Sequence, residues 1–294
     1  MKILVTGGSG QLGSYLLEDL SAGHEVWSID LRMPSIEGHE RLVTNVDIRD
    51  SAGVAKACDG VDAVVHAAAQ VSVEKSLEDP KMDADINVIG TLSMLKASAD
   101  AGVKKFVYIS SAAVYGDPRH LPVDEGHPKA PKSFYGVSKL AAEAYVHAFA
   151  ECRGLRYVIV RPFNFYSPRA DPKSPYSGVI TKFVERAKAG NPLSIEGDGE
   201  QTRDFINAKD VARMIRMAVE SPTGDVIFNC GSGKATSINE LAETLSAVRG
   251  GLRIEHVQSR VGDIRHSVAD VTLAKNVLGF QSRISLEEGL SSFF

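Results

Sequence analysis

The chain has 294 residues, 44% of them hydrophobic and 24% charged, with a net charge of −4. That length supports one large domain or a major and a minor one, and the mild acidity argues against nucleic acid or a membrane surface as partner. No apolar run approaches the ~18 residues of a membrane span, and Cys58, Cys152 and Cys230 lack metal-ligand spacing, so they read as buried free thiols and no metal is expected.

Met1 leads straight into a strand pattern at Lys2–Val5 with no secretory leader, so a cytoplasmic protein is expected. Gln11–Ser21 reads as a helix and Glu25–Ile29 as a second strand. Between the first strand and that helix, Gly7-x-x-Gly10-x-x-Gly13 sits directly after a strand and at a helix start. Glycines there let a backbone approach a pyrophosphate, and the amides of Gln11, Leu12 and Gly13 face the anion. Asp30 ends the second strand, where a carboxylate accepts from both ribose hydroxyls and repels a 2′-phosphate. NAD is therefore expected over NADP, with Arg32 as the one counter-signal.

Asp47 and Ile48 follow a third strand pattern. They read either as contacts to an adenine ring or as the N-cap region of a helix beginning near Ser51. Ala63–Ala67 is a further buried strand, and Ala67, Ala68 and Ala69 suit either close passage of a cofactor or ordinary sheet–helix packing. Ile86–Ala101 reads as a helix, Phe106–Ser110 as a strand, Phe134–Cys152 as a helix and Tyr157–Val160 as a strand. Short apolar runs alternating with helices predict a doubly wound parallel sheet, a Rossmann-type α/β fold.

Past Arg161-Pro162 the texture changes, with Pro168, Pro172 and Pro175 close together. A helix over Val179–Lys188, a strand over Leu193–Glu196, a helix over Asp210–Glu220, a strand over Val226–Asn229 and a helix over Ser237–Val248 follow. The expected division is a cofactor domain of residues 1–165 with a returning segment near 205–232. A smaller α/β substrate domain takes 166–204 and 233–294, with the substrate cleft between the two.

Ser110 and Ser111 end the fifth strand, at the edge where ligands of such sheets bind. Tyr135 and Lys139 lie four apart on the following helix, hence on one face. A free tyrosine, with a pKa near ~10, is a poor base at neutral pH, and a neighbouring ammonium favours its phenolate. Together these residues form a proton-transfer site beside a dinucleotide.

With those residues assembled, the chain resembles the extended short-chain dehydrogenase/reductase family over nearly its whole length. It is most similar to UDP-glucose (UDP-galactose) 4-epimerases and related nucleotide-sugar enzymes. The resemblance rests on Thr6–Gly13, Ser110–Asp117, Tyr135–Lys139, Arg161–Tyr166, Gly197–Phe205 and Arg260–Asp263. It implies that Ser111 bonds the sugar 4-oxygen, that Tyr135 moves its proton, and that Lys139 binds the nicotinamide ribose while lowering the tyrosine pKa. It further implies Phe163 near the nicotinamide, Asn164, Arg203 and Arg260 on the diphosphate, and Asp263 on the nucleoside ribose. Forked guanidinium donors suit a diphosphate.

Two departures sharpen the expectation. Related dehydratases and decarboxylases carry acids where this chain has Ala112 and Ala113, which disfavours those reactions. Ser267 is small at a position where a bulky residue restricts the sugar pocket, so it either borders the C2 substituent or is simply a serine in the strand leading to Val268. The implied activity is NAD-dependent 4-epimerisation of a nucleotide sugar, UDP-glucose/UDP-galactose or the N-acetyl pair. The alternatives are a nucleotide-sugar 4-ketoreductase or dehydrogenase, and a non-catalytic dinucleotide-binding sensor or scaffold. A homodimer is expected from the resemblance and from apolar residues on several sides of two helices, namely Leu92, Met94 and Leu95, then Tyr145, Val146 and Phe149.

Overall fold

The computed structural model describes residues 1–172, 178–258 and 264–294. Six parallel strands come from the first half: β1 (Lys2–Thr6), β2 (Glu25–Asp30), β3 (Val43–Asn45), β4 (Ala63–His66), β5 (Lys105–Ile109) and β6 (Tyr157–Pro162). The later strand Val226–Cys230 joins them, giving a seven-stranded sheet in the order Val226–Cys230, β6, β5, β4, β1, β2, β3. The expected Rossmann-type sheet is present. β4, β5 and β6 are buried along their whole length, because helices cover both faces, and this accounts for their unbroken apolar runs.

One face carries α1 (Gln11–Ser21) against the helix Ala208–Glu220, around Leu16, Leu17, Val211 and Ile215. The other carries α2 (Ser51–Ala57), α3 (Val73–Glu78), α4 (Pro80–Ala84), α5 (Thr91–Asp100) and α6 (Phe134–Arg153). Its core includes Phe106, Tyr108, Met94, Leu95 and Val146. Ser133 caps α6 by accepting from the Gly136 amide at 3.1 Å, and Gly154, with φ of 67°, ends it in the left-handed conformation that glycine adopts without strain.

A further core, around Phe183, Leu193, Ile195, Leu241 and Leu245, lies outside the main sheet. It is built by the helices Val179–Lys188 and Ile238–Arg249 and the strands Leu193–Glu196 and Ile254–Val257. Asp204 ties this region to the sheet edge. Its buried carboxylate accepts from the Ser232 amide and hydroxyl, the Gly233 amide and the Ala269 amide, at 2.6 to 3.1 Å.

Three expectations are corrected. The helix expected over Ile86–Ala101 begins instead as a π-helical turn, Asp85–Gly90, and only then becomes α5. The Thr91 hydroxyl donates to the Asn87 carbonyl at 2.7 Å, and Gly90 lies so close to Ile48 that an added Cβ would fall 2.5 Å from its Cδ1. Cys152 is exposed, whereas Cys58 and Cys230 are buried. Of the residues offered for a dimer face, Met94, Leu95 and Val146 point into the core, while Tyr145 is exposed and Leu92 and Phe149 are half-buried. The outward apolar surface of these helices is Ile89, Phe134, Val137 and Tyr145.

Candidate active site

The carboxyl ends of β1, β2, β4 and β5 share one edge of the sheet. After β1, Gly7 takes φ of 77° and donates its amide to the Ile29 carbonyl at 2.9 Å. A Cβ on Gly7 would lie 2.8 Å from the Ala68 amide nitrogen, and one on Gly13 would overlap the Gly7 carbonyl. Those two glycines thus let the loop pack closely on itself and on the backbone at Ala67 and Ala68. At Gly10 a Cβ would meet only the Gly7 carbonyl, at 3.1 Å, so the outer face of the loop is open. The start of α1 has no side-chain cap and no acid in its first turn. A pyrophosphate fits there, on the first amides of the helix.

The side chains of this segment divide. Leu12 is in the core and offers only its backbone, while Gln11 donates to the Ser167 hydroxyl at 3.1 Å. Asp30 accepts from the Ser9 amide at 3.0 Å and the Arg32 amide at 2.9 Å, which fixes its carboxylate at the strand end. Ile48 is buried in the core rather than presented as an open ring surface. The Asp47 carboxylate is held by the Arg49 guanidinium, whose hydrogen bond lowers its pKa, and the N-cap of α2 is Asp50.

Beyond β5, Ser111 begins a short 3-10 turn, Ala112–Val114, and accepts from the Ala113 amide at 3.1 Å. The Ser111 hydroxyl lies near the phenol of Tyr135. Burial raises Tyr135 to about 12, with neighbouring Ser111 working in the opposite direction. Lys139 follows Tyr135 by one turn of α6. The Lys139 ammonium donates to the Ile109 carbonyl at 2.6 Å, and its own pKa is pulled down to about 8 by burial. Ser111, Tyr135 and Lys139 are brought to one strand edge, as their spacing implied.

Two polar stripes beneath this edge were missed. On α6, Glu143 continues the Tyr135–Lys139 face. It accepts from the Ser110 hydroxyl at 2.5 Å and forms a bidentate pair with Arg161, at 2.9 and 2.6 Å, with both partners almost fully buried. On the opposing helices Asp83, Asn87 and Thr91 recur every four residues. Asp83 accepts from Gln70 at 2.7 Å and Asn87 at 3.1 Å, and Asn87 also donates to Ser138 at 3.1 Å. A four-residue spacing of polar groups in otherwise apolar helices was the signal available for both.

Thr91 leads on to the glycine loop. Because its hydroxyl donates to Asn87, it accepts from His66 Nε2 at 3.0 Å; His66 Nδ1 therefore accepts from Thr6 at 2.8 Å, and Thr6 in turn accepts from the Ala68 amide. Burial, with the Lys139 charge adding, depresses His66 to about 3.

Beyond β6, Phe163 is buried with Val114, Tyr115 and Ala269, and Asn164 is exposed beside it. Arg203 is half-buried and donates to the Thr202 carbonyl at 2.8 Å. Ser267 is half-buried and its amide donates to the same Thr202 carbonyl at 3.2 Å, which places it next to Arg203. Arg260 and Asp263 lie outside the described residues. Among the described residues no His, Cys, Asp and Glu cluster suits a metal, and no helix is long and apolar enough to cross a membrane.

Comparison with known proteins extends this geometry. Residues 3–231 match the family described as NAD dependent epimerase/dehydratase. The chain is 36% identical over 307 residues to the UDP-glucose 4-epimerase of Mycolicibacterium smegmatis, covering 99% of this chain and 96% of that one. A solved UDP-glucose 4-epimerase from Thermotoga maritima, with UDP-glucose, is similar at a TM-score of 0.93 and 36% identity over 99% of this chain and 97% of the other. The UDP-N-acetylglucosamine 4-epimerase of Methanobrevibacter ruminantium, in complex with UDP-N-acetylmuramic acid, gives 0.92 and 32% with the same coverage. The likeness thus holds in sequence and in structure and runs through both halves of the fold, and on that ground the chain belongs to the NAD dependent epimerase/dehydratase family.

Proposed function

We propose that this protein interconverts the C4 epimers of a UDP-hexose with NAD as its hydride carrier. The observation that carries the reading is the nearness of Ser111 and Tyr135 at the strand edge, with Lys139 one helical turn on and two alanines in the adjoining turn. NAD supplies the hydride acceptor for C4 and afterwards the donor. Ser111 holds the 4-oxygen. Tyr135 takes the hydroxyl proton as C4 is oxidised, and returns it once the 4-keto sugar has turned its other face, so no proton or electron is gained overall. Neither Ala112 nor Ala113 supplies the acid or base that elimination or decarboxylation would need.

In this reading Gly7, Gly10 and Gly13, with the amides of Gln11 and Leu12, receive the pyrophosphate, and Asp30 the adenosine ribose. Lys139 holds the nicotinamide ribose and Phe163 lies by the nicotinamide. Asn164, Arg203 and Arg260 take the substrate diphosphate, Asp263 its ribose, and Ser267 borders the sugar. The separate core around Phe183 and Leu241 supports a substrate domain of residues 166–204 and 233–294 beside a cofactor domain of 1–165 and 205–232. The exposed apolar residues Ile89, Val137 and Tyr145 support a homodimer through α5 and α6. A cytoplasmic location completes the reading.

Tyr135→Phe removes one oxygen and little packing, so turnover should fall roughly 10²–10⁴-fold with nucleotide-sugar binding kept. Steady-state kinetics within threefold of wild type would exclude Tyr135 from the chemistry. Because no net oxidation occurs, the purified protein should release about one equivalent of NAD, and no NADP, when denatured. A chain that comes out empty and turns over only with added cofactor is a ketoreductase or dehydrogenase instead. A bound cofactor with no turnover of any nucleotide sugar would favour the sensor.

Ser267→Tyr should abolish epimerisation of UDP-N-acetylglucosamine and largely spare UDP-glucose, since the larger side chain rejects only the larger ligand. Equal losses on the two substrates, or no N-acetyl activity in the wild type, would remove Ser267 from specificity. Analytical ultracentrifugation at micromolar concentration should give a dimer that Tyr145→Asp weakens, and a wild-type monomer would rule that assembly out.

A further inference from the structure

Lys139 is an ammonium at 4% exposure, and among the described residues no carboxylate pairs with it. Of its three N–H donors, the one with an acceptor in the described structure donates to the Ile109 carbonyl. What faces the charge is an aromatic surface: Nζ lies 4.8 Å from the centroid of the Tyr108 ring, one residue before that carbonyl on β5. The Tyr108 hydroxyl is buried and has no hydrogen-bond partner among the described residues, so what this side chain offers its neighbours is its ring. The ring's position is set by the Phe106–Tyr108 core and by stacking on neutral His66, at 5.9 Å and 28°.

We propose that the face of the Tyr108 ring is what seats the Lys139 ammonium and keeps it protonated, which makes Tyr108 a positioning residue for the reaction. The role of Lys139 in that reaction rests on the reading given above.

Other charged or titratable groups around Lys139 are accounted for. On α6, Glu143 is engaged by Arg161 and Ser110, and Tyr135 is a buried phenol raised to about 12, hence uncharged. On α4, Asp83 accepts from Gln70 and Asn87, and on β4 His66 is uncharged. Glu143 and Asp83 favour the ammonium from a distance, yet burial outweighs them and brings Lys139 to about 8. The cation is therefore only a short way below its titration at neutral pH, and an aromatic face in a desolvated site is large enough to decide its state. Weakening that face lowers the pKa, so the ammonium is lost at a lower pH.

The test uses the full-length protein isotope-labelled at lysine Cε, with the Lys139 signal identified by its loss in Lys139→Met. Tyr108→Phe keeps the ring and should leave the titration midpoint unchanged. Phenylalanines carrying successively more ring fluorines, placed at position 108, keep the shape while draining the negative charge from the ring face. The midpoint should then step down, by roughly one pH unit in all, and the alkaline limb of kcat should move with it. Tyr108→Leu should give at least the full shift; if it fails to fold, the fluorinated series still decides.

A midpoint that ignores fluorination overturns the proposal, because a ring present only for packing gives that result. A stepping midpoint with a fixed alkaline limb would remove Tyr108 from the reaction. A stepping midpoint with no UDP-hexose turnover at any pH would instead overturn the epimerase reading, so the two fail separately.

Discussion

The buried pair of Arg161 and Glu143 is the interaction on which the site depends. Moving two such charges out of water costs more than a simple contact returns, so such a pair relies on further hydrogen bonds. Arg161 also donates to the Tyr115 hydroxyl and the Glu125 carbonyl, and Tyr115 donates to Asn229 at 2.6 Å. One ion pair therefore fixes β6, α6, the end of β5, the turn after it and the strand Val226–Cys230 relative to one another. The Ser110 hydroxyl bonds Glu143 directly, and the next residue, Ser111, lies beside Tyr135. Loss of either charged partner leaves the other uncompensated, at a cost of about 3–5 kcal/mol.

Asp204 performs a corresponding task beyond β6. Burial raises its pKa, and the four bonds it accepts pull it back. Its backbone carbonyl also receives the Asn164 amide at 3.0 Å, so the segment after β6 and the one before Asn207 move together. Phe163 and Arg203, which come from distant parts of the chain, are thereby held against one shared hub.

Much of this was legible in the sequence because it depends on local spacing. Buried parallel strands show as short apolar runs, a glycine loop between strand and helix marks an anion site, and a tyrosine and lysine four apart share a helix face. Glu143 stood one step further along that same face, but its meaning came only with Arg161, which the sheet brings from 18 residues away. The π-helical turn at Asp85–Gly90 was illegible for a similar reason. It is set by the packing of Gly90 on Ile48 and by the Asn87 and Gln70 bonds, none of which alters the apolar periodicity of the segment. Periodicity also failed at α5 and α6, where it gave the number of apolar sides correctly but not which of them the sheet covers.

The hydrogen-bond chain from Ala68 through Thr6, His66 and Thr91 to Asn87 has a direction, since each hydroxyl and the imidazole donates onward. A histidine locked as one tautomer, with its titration near 3, changes neither charge nor polarity anywhere between mild acid and mild alkali. The strut between the glycine loop and the π-helical turn is therefore insensitive to pH over the range in which the neighbouring Lys139 begins to titrate. Acidity can change the protonation of the reaction centre while the frame that spans it keeps its shape.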